Sequence, residues 1–431
     1  MSNLGYSVVI GKKNSLYSYQ KYLKSGIYYF KGMGKKNIKP MRNLINNGHK
    51  VVGFDEEGMV ANEVSLISNR IQRECMKMVE FFFTVGDFQR INTLKVYPEF
   101  KNKIFKIGNP RFDIIKKKNN NFYLDEVNEI KKKYGKFVLI ATQLTLLNNH
   151  LIKDIFEFFK GKKKTQDSVH FFKALHEFEK SVEKKWKKFL NYFPKKNPNI
   201  KILIKPHPIE NREYWINLIK KIGCKNLVLA SNKYLTNSYL LASELNVGSN
   251  CHTSLESYIL GKHSINLRAR KKDSIYVSKL IRAVASKDIL NVKQLDKLIS
   301  DWFYKNIKFT NKLSKRSDRF LKKNIENIEK ESFFYFEKKI RSIKVFPKKE
   351  KDKHTNFFSF MYFRYLKKLK NFYYSINLSK EEYDFYNKKF SGLSYDEFNS
   401  YVKKFSSALK HDFKKYSVKE LYPGCFCIER K

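Results

Sequence analysis

The chain alternates short runs of β-branched and aromatic residues with longer amphipathic stretches, and this alternation constrains the fold more than any other feature. Such a pattern is typical of parallel β-sheets flanked by helices. Helical segments such as 171–190 and 254–260 lie between the strand candidates. The strand candidates are residues 6–11, 50–54, 81–86, 103–108, 136–143, 200–205, 226–230, 243–248 and 263–268. The sequence therefore predicts an α/β protein.

Length and turn signals divide the chain into three parts. Its 431 residues exceed what one hydrophobic core usually spans. Gly108, Asn109 and Pro110 interrupt the strand pattern, and a polar Lys/Asn run follows them. After about residue 296 the strand signals fade into a Lys- and aromatic-rich region, which contains an exposed linker at 346–356. We predict a Rossmann-type lobe over 1–115, a second over 116–295, and a basic, mainly helical extension over 296–431.

The charge of the chain is strongly positive, because 88 Lys and Arg stand against 41 Asp and Glu, a formal net charge of +47. Such a potential attracts anionic partners. Lys is mixed with Asn, Ile, Phe and Tyr throughout, a mixture that AT-rich coding DNA also produces, so drift in composition remains an alternative. No groove-reading motif occurs, which disfavours nucleic acid as the partner. An anionic membrane surface is equally consistent with the charge.

Cysteine usage and hydrophobicity indicate the compartment. An odd count of five scattered cysteines does not suggest a disulfide framework. Cys425 and Cys427 lack a second pair or nearby histidines, so a structural zinc site is not expected. No apolar run reaches the roughly 18 residues of a membrane span, and no signal peptide is recognisable. We expect a cytoplasmic protein, either soluble or peripheral to the inner face of the membrane.

Two facing lobes place the carboxyl ends of their strands at a shared cleft, where ligands of open α/β sheets bind. In the first lobe, Asp55, Glu56 and Glu57 follow the strand candidate 50–54, and Gly58 lets the backbone turn. Adjacent carboxylates repel each other, which favours proton uptake by one of them and suits it to general-base work. A solvated acidic turn is the alternative interpretation.

A second site candidate follows the strand at 200–205, which runs into Lys-Pro-His-Pro. Two prolines continue neither a helix nor a central strand, so His207 is expected in a stiff loop between Lys205 and Pro208. An imidazole there can donate to an anionic oxygen or, when protonated, offset charge on a leaving group. Lys205 adds a positive charge. A purely structural role for the histidine is the alternative.

The third site candidate is a polar loop after the strand at 243–248. Ser249, Asn250, Thr253 and Ser254 crowd a helix start, where free N–H groups and the helix dipole bind phosphate. Glu256 either complements the dipole or grips a ribose hydroxyl. No Gly-x-Gly-x-x-Gly motif and no Walker loop occurs, which disfavours dinucleotide and P-loop chemistry.

The order of these motifs resembles that of bacterial CMP-sugar-dependent glycosyltransferases of GT-B fold, which include sialyltransferases, polysialyltransferases and Kdo transferases. Five stretches carry a closer resemblance to the bacterial "surface carbohydrate biosynthesis protein" family, within residues 6–270: "GFDEEG", "VGDFQ", "IGNPRFD", "IKPHPIE" and "NCHTSLESYILGK". The resemblance implies a GT-B-like fold with two Rossmann-type lobes facing a central cleft.

The resemblance also implies roles for the candidate residues. Glu56 or Glu57 would act as general base on the acceptor hydroxyl, and His207 would contact the CMP phosphate and assist its departure. Thr253 and Ser254 would hold that phosphate, and Glu256 would meet the ribose. The remaining residues of the implied site are Lys205, Pro208, Ser249 and Asn250 at the nucleotide, and Gly58, Asn109 and Arg111 in the cleft. Neither a metal nor a cofactor is expected, because cationic side chains and N–H donors can offset the charge on leaving CMP.

The function implied is transfer of an acidic sugar, Kdo-like or nonulosonic, from a CMP donor to a surface polysaccharide or lipid-linked glycan. A transferase using CDP-linked glycerol or ribitol is one alternative. A sugar-nucleotide epimerase is another; it shares the Gly-Asn-Pro boundary but would be expected to have a different set of carboxylates in the cleft. A non-enzymatic nucleic-acid-binding or scaffold protein is the third.

Two further expectations concern the ends of the chain. Residues 6–11 resemble the second strand of the family's first lobe, so that lobe is expected to lack its usual first strand and helix. The helices of 296–431 are expected either to cross back onto the first lobe or to lie on a membrane.

Overall fold

The computed structural model describes residues 1–56, 58, 67, 70–150, 166–269, 278–310, 313–346, 365, 369, 376, 393–422 and 424–431. The linker predicted at 346–356 lies, apart from Phe346, outside the described residues.

The described strands form three separate sheets, of four, six and three strands. The strands are β1 (Val8–Gly11), β2 (Ile27–Lys31), β3 (Lys50–Phe54), β4 (Phe81–Thr84), β5 (Ile104–Lys106), β6 (Phe137–Ala141), β7 (Lys201–Lys205), β8 (Leu227–Leu229), β9 (Leu245–Gly248), β10 (Ser264–Leu267), β11 (Lys287–Ile289), β12 (Tyr416–Tyr422) and β13 (Cys425–Arg430).

The α-helices of the described residues mostly alternate with these strands. They are Lys13–Tyr19, Ile38–Asn46, Arg73–Met78, Asp87–Val96, Pro110–Ile115, Leu124–Tyr134, Gln166–Lys196, Arg212–Ile222, Thr236–Ala242, Thr253–Ile259, Lys279–Val284, Val292–Tyr304, Lys315–Asn324, Ser332–Arg341 and Tyr395–Ala408.

The four-stranded sheet is parallel, in the order β2-β3-β4-β5. Its two faces are both buried: Val51 belongs to one hydrophobic core and the next residue, Val52, to another. Strands buried on both faces are typical of parallel sheets covered by helices. This sheet is the centre of the first Rossmann-like lobe.

The six-stranded sheet is also parallel, in the order β11-β10-β9-β6-β7-β8. Val138 and Leu139 of β6 again face different cores. The chain moves outward from β6 to β8 and then returns to place β9 on the other side of β6. Ligands of open α/β sheets bind where the strand order reverses in this way. The predicted fold class, two Rossmann-like lobes of α/β type, is confirmed.

The helices Lys315–Asn324 and Ser332–Arg341 cross back onto the first lobe. This was one of the two places expected for the helices of 296–431, the other being a membrane. The ring of Phe336 packs edge-to-face against Tyr29 of β2 and Phe83 of β4. The main chain of Glu326 donates to the carbonyl of Val85, just beyond β4. This part of the chain therefore completes the core of the first lobe.

Residues 8–11 form a strand, but the expectation that they belong to the parallel sheet of the first lobe is wrong. β1 pairs antiparallel with β13, which pairs antiparallel with β12. The mainly helical C-terminal region thus also contains a β-hairpin. A run of β-branched residues indicates a strand without indicating its partner, and here the partner lies at the opposite end of the chain.

Among the described residues, none of the helices has the length and hydrophobicity needed to cross a membrane.

Candidate functional site

The turn after β3 is built around Asp55, which is buried. Both carboxylate oxygens of Asp55 accept from the Arg70 guanidinium, at 2.9 and 2.6 Å, and its carbonyl accepts from Gln89 at 2.8 Å. The N–H of Gly58 donates to the same carbonyl at 3.2 Å. A Cβ on Gly58 would overlap the Asp55 carboxylate, so this turn requires glycine. Asp55 is therefore structural, and the turn places the next residue, Glu56, at the carboxyl edge of the first sheet.

Glu56 lies between two cations. Its Oε2 is 2.6 Å from Nζ of Lys31, the last residue of β2, and its Oε1 is 3.6 Å from Nη1 of Arg111. The Glu56 side chain is only 12% exposed. Glu57, the other candidate base, lies outside the described residues.

Arg111 reaches the second lobe as well as the first. Asn109 caps the helix Pro110–Ile115, its Oδ1 accepting from the N–H of Arg111 at 3.0 Å. Nη2 of Arg111 donates to Oε1 of Glu256 at 2.5 Å. Burial raises the pKa of Glu256 and the nearby Glu56 acts in the same direction, whereas Arg111 opposes both. One guanidinium thus joins a carboxylate from each lobe.

The loop after β9 owes its shape to Asn250 and Thr253. Asn250 adopts φ +53°, its N–H donates to Oδ1 of Asn266, and its own Oδ1 accepts from the N–H of Ser278, both at 2.8 Å. The Thr253 hydroxyl accepts from the Asn246 amide at 3.3 Å. Both side chains bind other parts of their own lobe. Their predicted contact with a nucleotide stays a prediction.

Two other hydroxyls of the same loop and helix have no hydrogen-bond partner within the described part of the chain. They are the side chains of Ser249 and Ser254, which are buried at 5% and 0% exposure. A buried hydroxyl without a partner is costly, and each such group in a native protein calls for an explanation. Ser249 directly follows β9, beside the reversal point between β6 and β9.

The His-Pro loop after β7 is fixed by hydrogen bonds to the side chain of Glu210. This buried carboxylate accepts from the N–H of His207 at 2.9 Å, the Thr142 hydroxyl at 2.8 Å and the Trp215 indole at 2.9 Å. His207 and Pro208 themselves are exposed. Nδ1 of His207 accepts from the N–H of Ile209 at 3.3 Å. A neutral imidazole that accepts through Nδ1 carries its proton on Nε2, so Nε2–H is the donor of this ring.

Lys205 extends away from the Ser249 loop. Its Nζ lies 3.5 Å from the Ser231 carbonyl and 3.4 Å from Oδ1 of Asn232, both beyond β8. In the sheet, β8 is next to β7 on one side, whereas β9 lies two strands away on the other. Burial, and then the nearby Arg212, lower the pKa of Lys205 to about 8.

Several residues of this region were not predicted as site residues from the sequence. Lys31 was missed together with β2, although the run Tyr28-Tyr29-Phe30 was a strand signal. Glu210 is the last residue of the "IKPHPIE" motif, but no role was predicted for it. Glu179, in the helix Gln166–Lys196, accepts from the Thr145 hydroxyl and from the N–H groups of Leu146 and Leu147. Its position in a helix rich in Lys and Glu gave no signal.

Within the described residues, His, Cys, Asp and Glu side chains form no group of three that could hold a metal ion.

Comparisons with known proteins give distant likenesses. No family model matches the chain, and neither does any curated protein. A UDP-GlcNAc 2-epimerase from Neisseria meningitidis bound to UDP-GlcNAc is similar at 13% identity and TM-score 0.44, over 73% of this chain and 76% of that one. The Methanocaldococcus jannaschii 2-epimerase with UDP-GlcNAc and UDP gives 15% and 0.41, over 69% and 74%. Anabaena Alr3699/HepE with UDP and glucose gives 9% and 0.40, over 74% and 78%. Likenesses this distant carry no information about substrate.

Proposed function

We propose that the chain is a nucleotide-sugar-dependent enzyme that transfers an acidic sugar, Kdo-like or nonulosonic, from a CMP donor to a surface polysaccharide or lipid-linked glycan. The observation that carries the proposal is the contact of one guanidinium, that of Arg111, with Glu56 of the first lobe and Glu256 of the second. Both carboxylates follow parallel strands, at the edge where such sheets bind ligands. The choice of CMP and of an acidic sugar rests on the motif resemblance.

Glu56 is proposed as the general base. It would take the proton of the acceptor hydroxyl as that oxygen attacks the sugar carbon and the bond to the CMP phosphate breaks. Its contact with Arg111, at 3.6 Å, is much longer than its contact with Lys31. Guanidinium groups bind phosphate in a bidentate manner, so an entering nucleotide would compete for Arg111. Binding of the donor would thereby release Oε1 of Glu56 for the proton.

The departing CMP phosphate is proposed to be met by N–H and O–H donors. The orphaned hydroxyls of Ser249 and Ser254 supply two of them, and Nε2–H of His207 a third. Donors fixed in position before the reaction stabilise a charge that develops during it. Arg111, whose side chain is 53% exposed, has room to turn toward the same phosphate. Glu256 would then accept from a ribose hydroxyl.

The net charge of +47 supports a peripheral position at an anionic membrane, where lipid-linked acceptors lie. We propose the inner face of the cell membrane as the place of action. Binding to vesicles with and without anionic lipid, at two salt concentrations, measures this directly. Equal binding to both vesicle types would contradict it.

A sugar-nucleotide epimerase is the second candidate function. Two carboxylates that face one another across Arg111 would also suit removal of a proton from one side of a sugar carbon and its return on the other. In a transferase only one of the two carboxylates needs to take a proton. The transferase releases the nucleotide, whereas the epimerase leaves it attached to the sugar, so product analysis distinguishes the two candidates.

The test begins with binding of CMP, measured by calorimetry on the full chain, with GMP as the control ligand. We expect binding of CMP that weakens at least tenfold in His207→Ala. Glu80→Gln, which removes the half-exposed pair of Lys50 and Glu80 in the first lobe, serves as the control for Glu56→Gln. Glu56→Gln should retain CMP binding but abolish transfer. No CMP binding by the wild-type protein would end the proposal.

Product analysis then uses CMP-Kdo, CMP-sialic acid, CDP-glycerol and UDP-N-acetylglucosamine as separate substrates. Consumption of a CMP-sugar with release of CMP supports the transferase. Turnover of CDP-glycerol alone would assign the glycerol phosphate alternative. Interconversion of UDP-N-acetylglucosamine without release of nucleotide would assign the epimerase.

A further inference from the structure

Two cations converge on one amide oxygen at the carboxyl edge of the second sheet. Oδ1 of Asn232 accepts from Nη1 of Arg212 at 2.8 Å and lies 3.4 Å from Nζ of Lys205. Nη2 of Arg212 donates to the carbonyl of Ala230 at 2.8 Å, and Lys205 also lies 5.5 Å from the centre of the Tyr239 ring. Lys205 ends β7 and Arg212 begins the next helix, so the cluster flanks the His207 loop on both sides in sequence.

Several other cations of the two lobes have carboxylate partners. Lys31 and Arg111 pair with Glu56 and Glu256, Arg70 with Asp55, Lys233 with Glu129, and Arg268 and Arg282 with Asp288. Lys205 and Arg212 differ from them. In the described ranges, no carboxylate lies within ion-pair distance of either side chain.

The lack of a carboxylate partner among the described residues matters because both side chains are partly removed from water. Both side chains are partly buried, and burial lowers the pKa of each. After burial, the charge of Arg212 is the second cause of the lowered pKa of Lys205, so the two cations repel each other. The amide oxygen of Asn232 carries only a partial negative charge and cannot neutralise two cations. Buried charges are normally paired, so two partly buried cations whose partners in the described part of the chain are only amide and carbonyl oxygens and a ring are suited to bind an anion.

We propose that Lys205 and Arg212 form a binding site for an anionic oxygen group of the substrate, either a phosphate or a carboxylate. Guanidinium and ammonium groups side by side can bind two oxygens of one such group. Neighbouring strands lie about 4.8 Å apart, so the end of β7 lies roughly 10 Å from the Ser249 loop, and Asn232, beyond β8, lies farther away. The site is therefore separate from the hydroxyls proposed to meet the CMP phosphate. The choice of probes rests on the proposed function, whereas the site itself does not.

The experiment measures the affinity of the full chain for inorganic phosphate, N-acetylneuraminate and CMP, by calorimetry at constant ionic strength. Arg212→Gln is compared with Lys221→Gln, which removes an exposed charge from the other end of the same helix. We expect Arg212→Gln to weaken at least one probe tenfold or more, and Lys221→Gln to weaken each by less than twofold. Loss for inorganic phosphate identifies the anion as a phosphate, and loss for N-acetylneuraminate alone identifies it as a carboxylate. The affinity for CMP, whose phosphate is proposed to lie at the Ser249 loop, should stay within twofold.

A second variant, Asn232→Asp, protects the test against a folding defect in Arg212→Gln. It keeps the shape of the side chain and places a carboxylate where both cations can bind it. We expect a higher melting temperature and at least tenfold weaker binding of the same probe.

The proposal is overturned if the wild-type protein binds none of the three probes. It also fails if Arg212→Gln and Asn232→Asp bind all of them within twofold of the wild type, or if Lys221→Gln loses as much as Arg212→Gln. A protein that binds inorganic phosphate through Arg212 but ignores CMP would sink the proposed function and leave this site standing.

Discussion

The side chain of Asn327 forms two hydrogen bonds with the main chain of Asn109, 218 positions earlier in the sequence. The N–H of Asn109 donates to Oδ1 of Asn327 at 2.9 Å, and Nδ2 of Asn327 donates to the carbonyl of Asn109 at 2.7 Å. Nδ2 also donates to Asp113 at 2.7 Å. Asn109 caps the helix that carries Arg111. A segment far along the chain thus fixes the residue that joins the two lobes.

We therefore expect Asn327→Ala to destabilise the protein. The substitution leaves the buried N–H of Asn109 without a partner, while the carbonyl of Asn109 keeps only its hydrogen bond from the N–H of Phe112. We expect a cost of about 2 kcal/mol of unfolding free energy. The measurement is urea unfolding, with the exposed Asn46→Ala as control. A change no larger than that of the control would mean that these hydrogen bonds are not needed. CMP affinity should fall as well, because Arg111 loses its support.

Gly86→Ala tests a neighbouring contact, between the first lobe and Asn324 of the same distant segment. Gly86 has φ −166°, which any residue accepts, but a Cβ there would overlap the carbonyl group of Asn324. We expect a loss of about 2 kcal/mol, since overpacking typically costs 1–3 kcal/mol. Gly26→Ala is the matched control, because its Cβ would make an ordinary 3.8 Å contact. Limited proteolysis should cleave between residues 310 and 346 faster in Gly86→Ala alone.

The pH dependence of stability is expected to change in Glu179→Gln. Burial raises the pKa of Glu179 from its ordinary 4.5 to about 7, so the folded protein holds this proton more tightly than the unfolded chain does. The resulting stability is complete below about pH 4.5 and is lost as the pH rises through 7. The shift corresponds to about 3 kcal/mol.

Urea midpoints of the two proteins, measured from pH 5 to 8, check this. The wild type should weaken relative to Glu179→Gln as the pH rises, because glutamine has no proton to lose. Parallel curves would contradict the raised pKa.

Glu210→Ala is expected to loosen the His207 loop. It leaves the N–H of His207 and the indole N–H of Trp215 without an acceptor, at a cost of about 2–3 kcal/mol. Proton–nitrogen NMR of the histidine rings should show Nε2–H for His207 in the wild type and faster exchange of this proton in the variant. Glu210→Gln, which keeps one acceptor oxygen, should restore most of the Nε2–H resonance of His207 and slow its exchange again. Identical His207 spectra in all three proteins would remove Glu210 from any positioning role.

Much of the fold was predictable because β-branched runs mark buried strands well. Every strand candidate, from 6–11 to 263–268, overlaps a strand of the structure. The missed strands have weaker signals: β2 is rich in half-exposed tyrosines, and β11 has only three residues. The hairpin β12–β13 lies in a lysine-rich region with helical spacing. Pairing over such a distance leaves no trace in local periodicity.

Only those site residues that follow directly from the ends of strands were predictable. Glu56 and Glu256 follow β3 and β9, and the structure brings both to Arg111. The direction of Lys205 was not predictable, since it depends on Tyr239 and Asn232 from other elements. Arg212 has no motif of its own. Contacts of this kind arise from the packing of separate elements rather than from any single stretch.

The pairing of β1 with β13 has a consequence for biosynthesis. The Ser2 hydroxyl donates to the carbonyl of Ile428, 426 positions away. On the ribosome, residues 8–11 emerge more than 400 residues before residues 425–428, their partners in the sheet. Until those residues have left the exit tunnel, the nascent chain carries an unpaired strand segment that holdase chaperones, or a neighbouring nascent chain, can bind.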